Sequence, residues 1–348
     1  MSAEAAPVLA ELVRGGHVES RHRGAIAVCA PDGSVIASLG DPETFVFLRS
    51  AAKPFQLLAF LASGAAARYD FPTEELAVMA ASHSGEDRHV ALVARLLATA
   101  GLSESALQCG THPPYDSDTA DRLLRDHEAL TPLRHNCSGK HTGMLLFAHG
   151  AGWPVETYWR ADHPVQRAVL ASVSEVTGVS EDEIALATDG CGVPTFGMPL
   201  RALGTAFARL AAAPEDRFAE RVGVPLARIG DAMSAHPELV GGETKRLDTA
   251  LMRAVPRLVS KAGAEGIQAV ALRPGLTTRW GGAVGAAVVI EDGDWARRAG
   301  GVATCALLAQ LGVLDRAALR ALESFAAPQI RDPRGEVSGE VRAAFAVG

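Results

Sequence analysis

The chain has 348 residues, 48% of them hydrophobic and 21% charged, with a net charge of −7. This composition supports a large core and excludes non-specific nucleic-acid binding, which needs a basic field to displace counterions. The apolar runs, such as 283–290, are too short for a bilayer, residues 1–14 lack a signal-peptide pattern, and five scattered cysteines predict reduced thiols and a cytoplasmic address.

In chain order, the first forty residues read as strands, and 24–30 and 34–39 flank Pro31-Asp32-Gly33 as a β-hairpin. A helix opens near Ser50, with Pro54 in its first turn, and turns Phe55, Leu57, Leu58 and Phe60 to the core. This places Ser50 within about a residue of the N-cap. Glu86-Asp87 opens a second helix, with Val90, Leu92, Val93, Leu96 and Leu97 on helical spacing and Gly101 as its stop. Asp162-His163-Pro164 opens another, ending near Gly178. Ser180 and Glu183 then have capping-box spacing, although 184–188 reads equally as a strand.

Strands return at 257–261, 266–273 and 283–290, the first two joined by a turn at Ala262-Gly263-Ala264-Glu265. Helices at 296–311 and 316–324 close the chain, and no repeat or linker is visible. The pattern predicts an α+β protein, a single catalytic unit spanning 1–348. Its antiparallel sheet comes from both chain ends, with a helical middle at about 50–255 inserted between them.

Three constellations carry chemistry. In Arg49-Ser50-Ala51-Ala52-Lys53-Pro54, Ser50 and Lys53 share a helix face, so a neutral Lys53 amine can take the proton of Ser50 as it attacks a carbonyl. This has the form of the S-x-x-K element of class A β-lactamases, though an N-capping serine and a surface lysine have the same spacing. Ala81-Ser82-His83-Ser84-Gly85 lies in a loop between helical runs, and Lys261-Ala262-Gly263 ends a strand. Their order matches the remaining β-lactamase elements, and a Lys261 charge would help keep Lys53 neutral. A capping Ser82 and a solvated Lys261 are the alternatives.

The third constellation pairs Asn136-Cys137-Ser138-Gly139-Lys140-His141 with Thr188-Asp189-Gly190-Cys191-Gly192. Thiolates with aspartate and histidine would suit zinc, but without a CxxC pair the spacing alone favours buried free thiols. Cys29, Cys109 and Cys305 read as core. Arg88 and His89 read as a solvated first helical turn rather than as a polar active-site wall with His83. Gly241-Gly242 and Gly281-Gly282 lack the strand-then-helix context of a nucleotide loop, so no nucleotide or organic cofactor is expected.

Together, the segments Leu48 to Pro54, Ala81 to His89, Asn136 to His141 and Thr188 to Cys191 resemble the Rhizobium etli-type L-asparaginases, the asparaginase II or class 3 family. The likeness runs from about Val8 to the segment 334–341. It implies a fold similar to serine β-lactamases and glutaminases, usually as a homodimer, and a small-molecule substrate, L-asparagine, hydrolysed to L-aspartate and ammonia. It implies two serine–lysine pairs, Ser50 with Lys53 and Ser82 with Lys261, and a zinc ion held by Cys137, Lys140 and Cys191. His141 and Asp189 match positions close to that metal and are candidate substrate-binding residues. Arg49 is a candidate for the substrate carboxylate, with a buried core arginine as the alternative. Phe47 and Phe55 are bulkier than expected beside the nucleophile and either narrow the pocket or pack behind it. A glutaminase, a β-lactam or other amide hydrolase, and a zinc-stabilised amino-acid-binding protein are the competing readings.

Overall fold

The computed structural model describes residues 5–213 and 222–347. The backbone forms two units, each with its own core: Met1–Ala51, Met198–Ala212 and Ala250–Gly348 in one, Ala52–Gly197 and Ala213–Thr249 in the other.

The first unit is built on an eight-stranded sheet drawn from both chain ends. Its order is Gln329–Arg331, Val337–Ala343, Val8–Arg14, His17–Cys29, Val284–Ile290, Ile267–Leu272 and Val259–Ala262, with Val35–Leu39 also paired to His17–Cys29. These pairings are antiparallel, so the α+β class with a sheet from both ends is what the chain adopts. The long strand His17–Cys29 changes neighbour near Gly24: residues before it pair with Val8–Arg14, and Gly24 onward pairs with Val284–Ile290. A Cβ at Gly24 would sit 1.9 Å from the Val289 carbonyl oxygen, so only glycine permits this close pairing.

Ile267–Leu272 and Val284–Ile290 are buried at every position, which explains why they read as continuous apolar runs rather than as alternating strands. The helix Leu200–Ala212 packs on them through two glycines: a Cβ on Gly285 would lie 2.0 Å from the Gly204 carbonyl oxygen. No sequence signal marked this helix, and the strand Val8–Arg14, within the first forty residues read as strands, has its partner Val337–Ala343 more than 300 residues away.

The hairpin at Pro31-Asp32-Gly33 and the turn after Lys261 are as expected, with Gly33 N–H donating to the Ala30 carbonyl and Gly263 N–H to the Ile267 carbonyl. The expected helix at 296–311 instead starts at Ala299. The Asp294 carboxylate accepts from the backbone N–H groups of Arg298, Ala299 and Gly300, so the chain from Trp295 to Arg298 forms the turn ahead of that cap. The last helix breaks in two, Arg316–Ala321 and Glu323–Ala326.

The second unit is mainly helical. Helix Ser138–Ala151 is buried on nearly all sides, as expected of a central helix with no polar face. Gly139 lets it approach Thr73–Met79 closely, since a Cβ there would lie 2.1 Å from the Val78 carbonyl oxygen. Helices Lys53–Leu61, Asp87–Thr99 and Pro164–Thr177 form where the sequence places them, the last two ending at Gly101 and Gly178 with positive φ. Between Gly178 and Thr188 the strand reading holds: Ala185–Thr188 pairs with Pro194–Pro199, and Ser180 Oγ donates to Glu183 Oε2 in the turn ahead of it.

Candidate active site

Lys53 is the first residue of helix Lys53–Leu61 and is buried. Ahead of it, Arg49–Ala52 forms a 3-10 turn, and the α-helical N-cap is Ala52. Ser50 therefore lies inside that tighter turn rather than at the expected N-cap, because Pro54 has no N–H to donate an i→i−4 bond and the chain enters through i→i+3 bonds. Arg49, at φ +49, is half-buried and pairs loosely with Glu265 at 4.0 Å, so it is not the buried core arginine. Lys261 is fully buried in its strand, not solvated, and donates to the Ala262 carbonyl at 2.8 Å. Phe55 is core, while Phe47 is partly exposed with its ring set edge-on to Phe45.

Ser82 sits on the loop between helices Thr73–Met79 and Asp87–Thr99, and that loop is pinned along its length. Ser82 N–H donates to the Val240 carbonyl and Ser84 Oγ to the Gly241 carbonyl. Arg246 spans both serines, donating to the Ser82 carbonyl at 2.7 Å and to Ser84 Oγ at 3.1 Å. His83 accepts from Gly85 N–H at Nδ1, which leaves Nε2 to donate to Ser138 Oγ at 2.9 Å. His89 is not the solvated residue expected. It is fully buried, stacks on His83 at 4.7 Å and completes the capping box of its helix with Glu86. Burial pushes the His89 imidazole down to about 4, so both stacked rings are neutral near pH 7.

Cys137 is the N-cap of helix Ser138–Ala151, so Cys137, Lys140 and His141 fall on one face of its first turn. Cys191 stands at the tip of the hairpin between Ala185–Thr188 and Pro194–Pro199. The tip is closed by Asp189 N–H on the Val193 carbonyl and Gly192 N–H on the Asp189 carbonyl, with Gly192 at φ +89. These two turns bring the sulfur atoms together.

A continuous hydrogen-bonded chain results, its members all buried. Lys53 Nζ donates to Ser82 Oγ at 2.7 Å and to Cys137 Sγ at 3.2 Å. The Cys137 thiol donates a hydrogen bond to Cys191, and Lys140 Nζ donates to Cys191 Sγ at 2.9 Å, both cysteines being free. The electrostatics order the protons along it. The bond from the Cys137 thiol and the Lys140 ammonium hold Cys191 as thiolate, far below the ordinary thiol range. That same bond and burial push Cys137 up, so it keeps its proton. Burial is opposed at Lys140 by the Cys191 charge, which holds the ammonium above the usual range. Lys53 is lowered, first by burial and further by Lys140, although Cys137 opposes. A lowered, buried amine 2.7 Å from a serine hydroxyl is a base poised to move a proton.

His141 is fully buried, Tyr158 Oη lies 2.6 Å from its Nδ1, and burial pushes the imidazole down to about 4. Asp189 is half-exposed, its Oδ1 accepting from Gly190 N–H, and its charge reaches Lys140. Tyr158 and Arg246 carried no sequence signal: neither belongs to a motif, and each reaches the site from an element remote in the chain.

A family model described as L-asparaginase II matches residues 10–343. The chain belongs to the L-asparaginase II family. Membership makes it an amide hydrolase acting on a small-molecule substrate. No curated protein matches this family member in sequence. Among solved structures, a probable glutaminase from Bacillus subtilis complexed with 6-diazo-5-oxo-L-norleucine is similar at 12% identity and a TM-score of 0.41, over 86% of this chain and 87% of that one. A Bacillus glutaminase is similar at 13% identity and 0.38, over 84% and 92%. The native form of Mglu is similar at 15% and 0.36, over 85% and 66%. At such TM-scores the likeness is loose. In this L-asparaginase II family chain no cluster of three His, Cys, Asp or Glu side chains is placed to hold a metal ion among the described residues. What converges instead is a thiol, a thiolate and a lysine ammonium.

Proposed function

We propose that the chain is an L-asparaginase of the Rhizobium etli type, hydrolysing L-asparagine to L-aspartate and ammonia through a serine activated by Lys53. The observation that carries this reading is the buried Lys53 amine, held at 2.7 Å from Ser82 Oγ and lowered from the ordinary lysine range. In the reaction, Ser50 Oγ attacks the side-chain amide carbon while its proton passes to Lys53, with Ser82 relaying it. The resulting lysine ammonium returns the proton to the departing amine, ammonia leaves and an aspartyl ester remains on Ser50. Water then cleaves the ester by the reverse sequence. Lys140 supports the neutral state of Lys53 by like charge, and Arg49 receives the substrate carboxylate. A second reading makes Ser82 the nucleophile, and the short contact between Ser82 and Lys53 favours it.

Cys137, Lys140 and Cys191 would hold a zinc ion, with His141 and Asp189 beside it. Support comes from the donor set, since the Cys137 thiol and the Lys140 ammonium already converge on the Cys191 thiolate in a buried site. When bound, zinc would supply a fixed positive charge that orients the α-amino acid end of the substrate. Loading it requires Cys137 to lose its thiol proton and Lys140 an ammonium proton, while Cys191 is already a thiolate. Zinc titration by calorimetry at pH 7, in two buffers of different ionisation enthalpy, should therefore release about two protons per ion. Release of none would remove Cys137 and Lys140 from the ligand set.

The reading is tested by ammonia release from L-asparagine and L-glutamine, with wild type and Ser50→Ala. Asparagine should give the larger kcat/KM, and the variant should lose several orders of magnitude. Near-normal turnover by Ser50→Ala removes Ser50 as the nucleophile, and a larger kcat/KM for glutamine makes the chain a glutaminase.

A further inference from the structure

We infer that Arg246 is a positioning residue: its guanidinium fixes the backbone of Ser82 so that the hydroxyl stays on the Lys53 amine. This role deepens the proposed reaction and rests on it only for the catalytic value of the Ser82–Lys53 contact. It is the same whether Ser82 relays the proton or attacks.

A serine hydroxyl is aimed by its Cα–Cβ bond, and the two flanking peptide planes set the direction of that bond. At Ser82 both planes are tied to the segment 240–246. The Ser82 N–H donates to the Val240 carbonyl at 3.1 Å, and the Ser82 carbonyl accepts from Arg246 Nη2 at 2.7 Å. With both planes held, Oγ lies 2.7 Å from Lys53 Nζ. Residues 81–86 belong to no helix or strand, so no ladder bond anchors the Ser82 carbonyl. The same guanidinium donates through Nη1 to Ser84 Oγ at 3.1 Å, and Ser84 Oγ donates to the Gly241 carbonyl at 2.9 Å. A planar fork holds two acceptors at once in fixed geometry, which a lysine ammonium does not. The approach is close: Gly242 lies at φ +137, and a Cβ there would be 2.3 Å from Ser84 Oγ. All of these residues belong to the second unit. When Arg246 is replaced, the bonds of Ser82 N–H to Val240, Ser84 to Gly241 and Glu243 N–H to Glu86 still dock the segment. The loss then falls on the aim of Ser82 rather than on the fold.

Wild type, Arg246→Ala and Arg246→Lys are compared by crystal structure and by steady-state kinetics. In the alanine variant Ser82 Oγ should leave hydrogen-bonding distance of Lys53 Nζ while helix Asp87–Thr99 stays in place. Its kcat and kcat/KM for asparagine should fall together by about 10²-fold, the cost of a catalytic group misplaced by about 1 Å. Guanidinium ion at non-denaturing concentration should restore part of that kcat, and an alkylammonium ion of the same charge should not. An unchanged Ser82–Lys53 contact overturns the role. A loss confined to KM also overturns it and makes Arg246 a substrate-binding residue. Should the alanine variant not fold, Arg246→Lys decides, since it keeps the charge and the stem but not the fork: turnover equal to wild type overturns the role. A wild type that releases ammonia from no amide refutes the reaction, and the crystal structures then decide the clamp alone.

Discussion

Lys53→Met lowers kcat/KM for asparagine by about 10²–10⁴-fold, the range lost when a general base is removed, while the folded protein survives. The two halves of this result have different causes. Activity is lost because methionine has no basic lone pair. Stability changes little because two effects oppose each other. Ser82 and Cys137 lose a hydrogen-bond partner, at about 1–3 kcal/mol for each buried group left unmatched. Against that, an amine whose charge the site already disfavours no longer has to be desolvated.

The pH behaviour follows the same sign. Lys53 is lowered in the folded state, so the unfolded chain binds more protons between the folded value and the ordinary 10.5. Across that window the Lys53 contribution to stability grows as pH rises, and the base becomes available as pH passes the folded value. Wild-type kcat/KM should therefore climb with pH on a limb that Lys53→Met lacks. A variant within tenfold of wild type would end the role of Lys53 as base.

Cys191→Ala destabilises the fold by about 3–5 kcal/mol in urea unfolding, because it strands the buried Lys140 ammonium without its thiolate. The double variant Cys191→Ala with Lys140→Met should recover part of that loss, since it removes both charges and leaves an apolar pair of similar bulk. Cys191 is depressed below the ordinary thiol value of 9.0, so its stabilisation is fully present above 9.0 and declines as pH falls toward the folded value. The gap between wild type and Cys191→Ala should narrow accordingly at lower pH. A loss under 1 kcal/mol for the single variant, or a double variant worse than either single one, would show that the thiolate–ammonium pair is absent.

Much of the fold was legible because the relevant signals are local. Pro31-Asp32-Gly33, Glu86-Asp87 with Gly101, and His163-Pro164 with Gly178 each mark an end of an element, and those ends are where they should be. The joining of both chain ends in one sheet was also readable, because strands clustered at the two ends with helices between. What sequence could not supply was long-range partnership. The pairing of Val8–Arg14 with Val337–Ala343 and the docking of Leu200–Ala212 through Gly204 and Gly285 depend on close approach, which leaves no periodic trace.

The site follows the same division. Motif spacing found Lys53 and Ser82 and singled out Cys137, His141 and Cys191, while Lys140 entered only through the family resemblance; the helical unit brings all six into one neighbourhood. Spacing misjudged His89, since a helix start with acidic neighbours looks solvated until the stacked His83 is seen to cover it. It also missed Tyr158 and Arg246, whose contributions lie wholly in tertiary contacts.

The central claim is a Lys53-activated serine nucleophile, and a diazo-ketone analogue of asparagine tests it most directly by alkylating whichever side chain attacks. Peptide mass mapping after exposure should place the label on Ser50, and Lys53→Met should block it. A label on Ser82 would transfer the nucleophile to that residue. A label on Cys137 or Cys191, or none at all in protein that still turns over asparagine, would contradict serine catalysis in this chain.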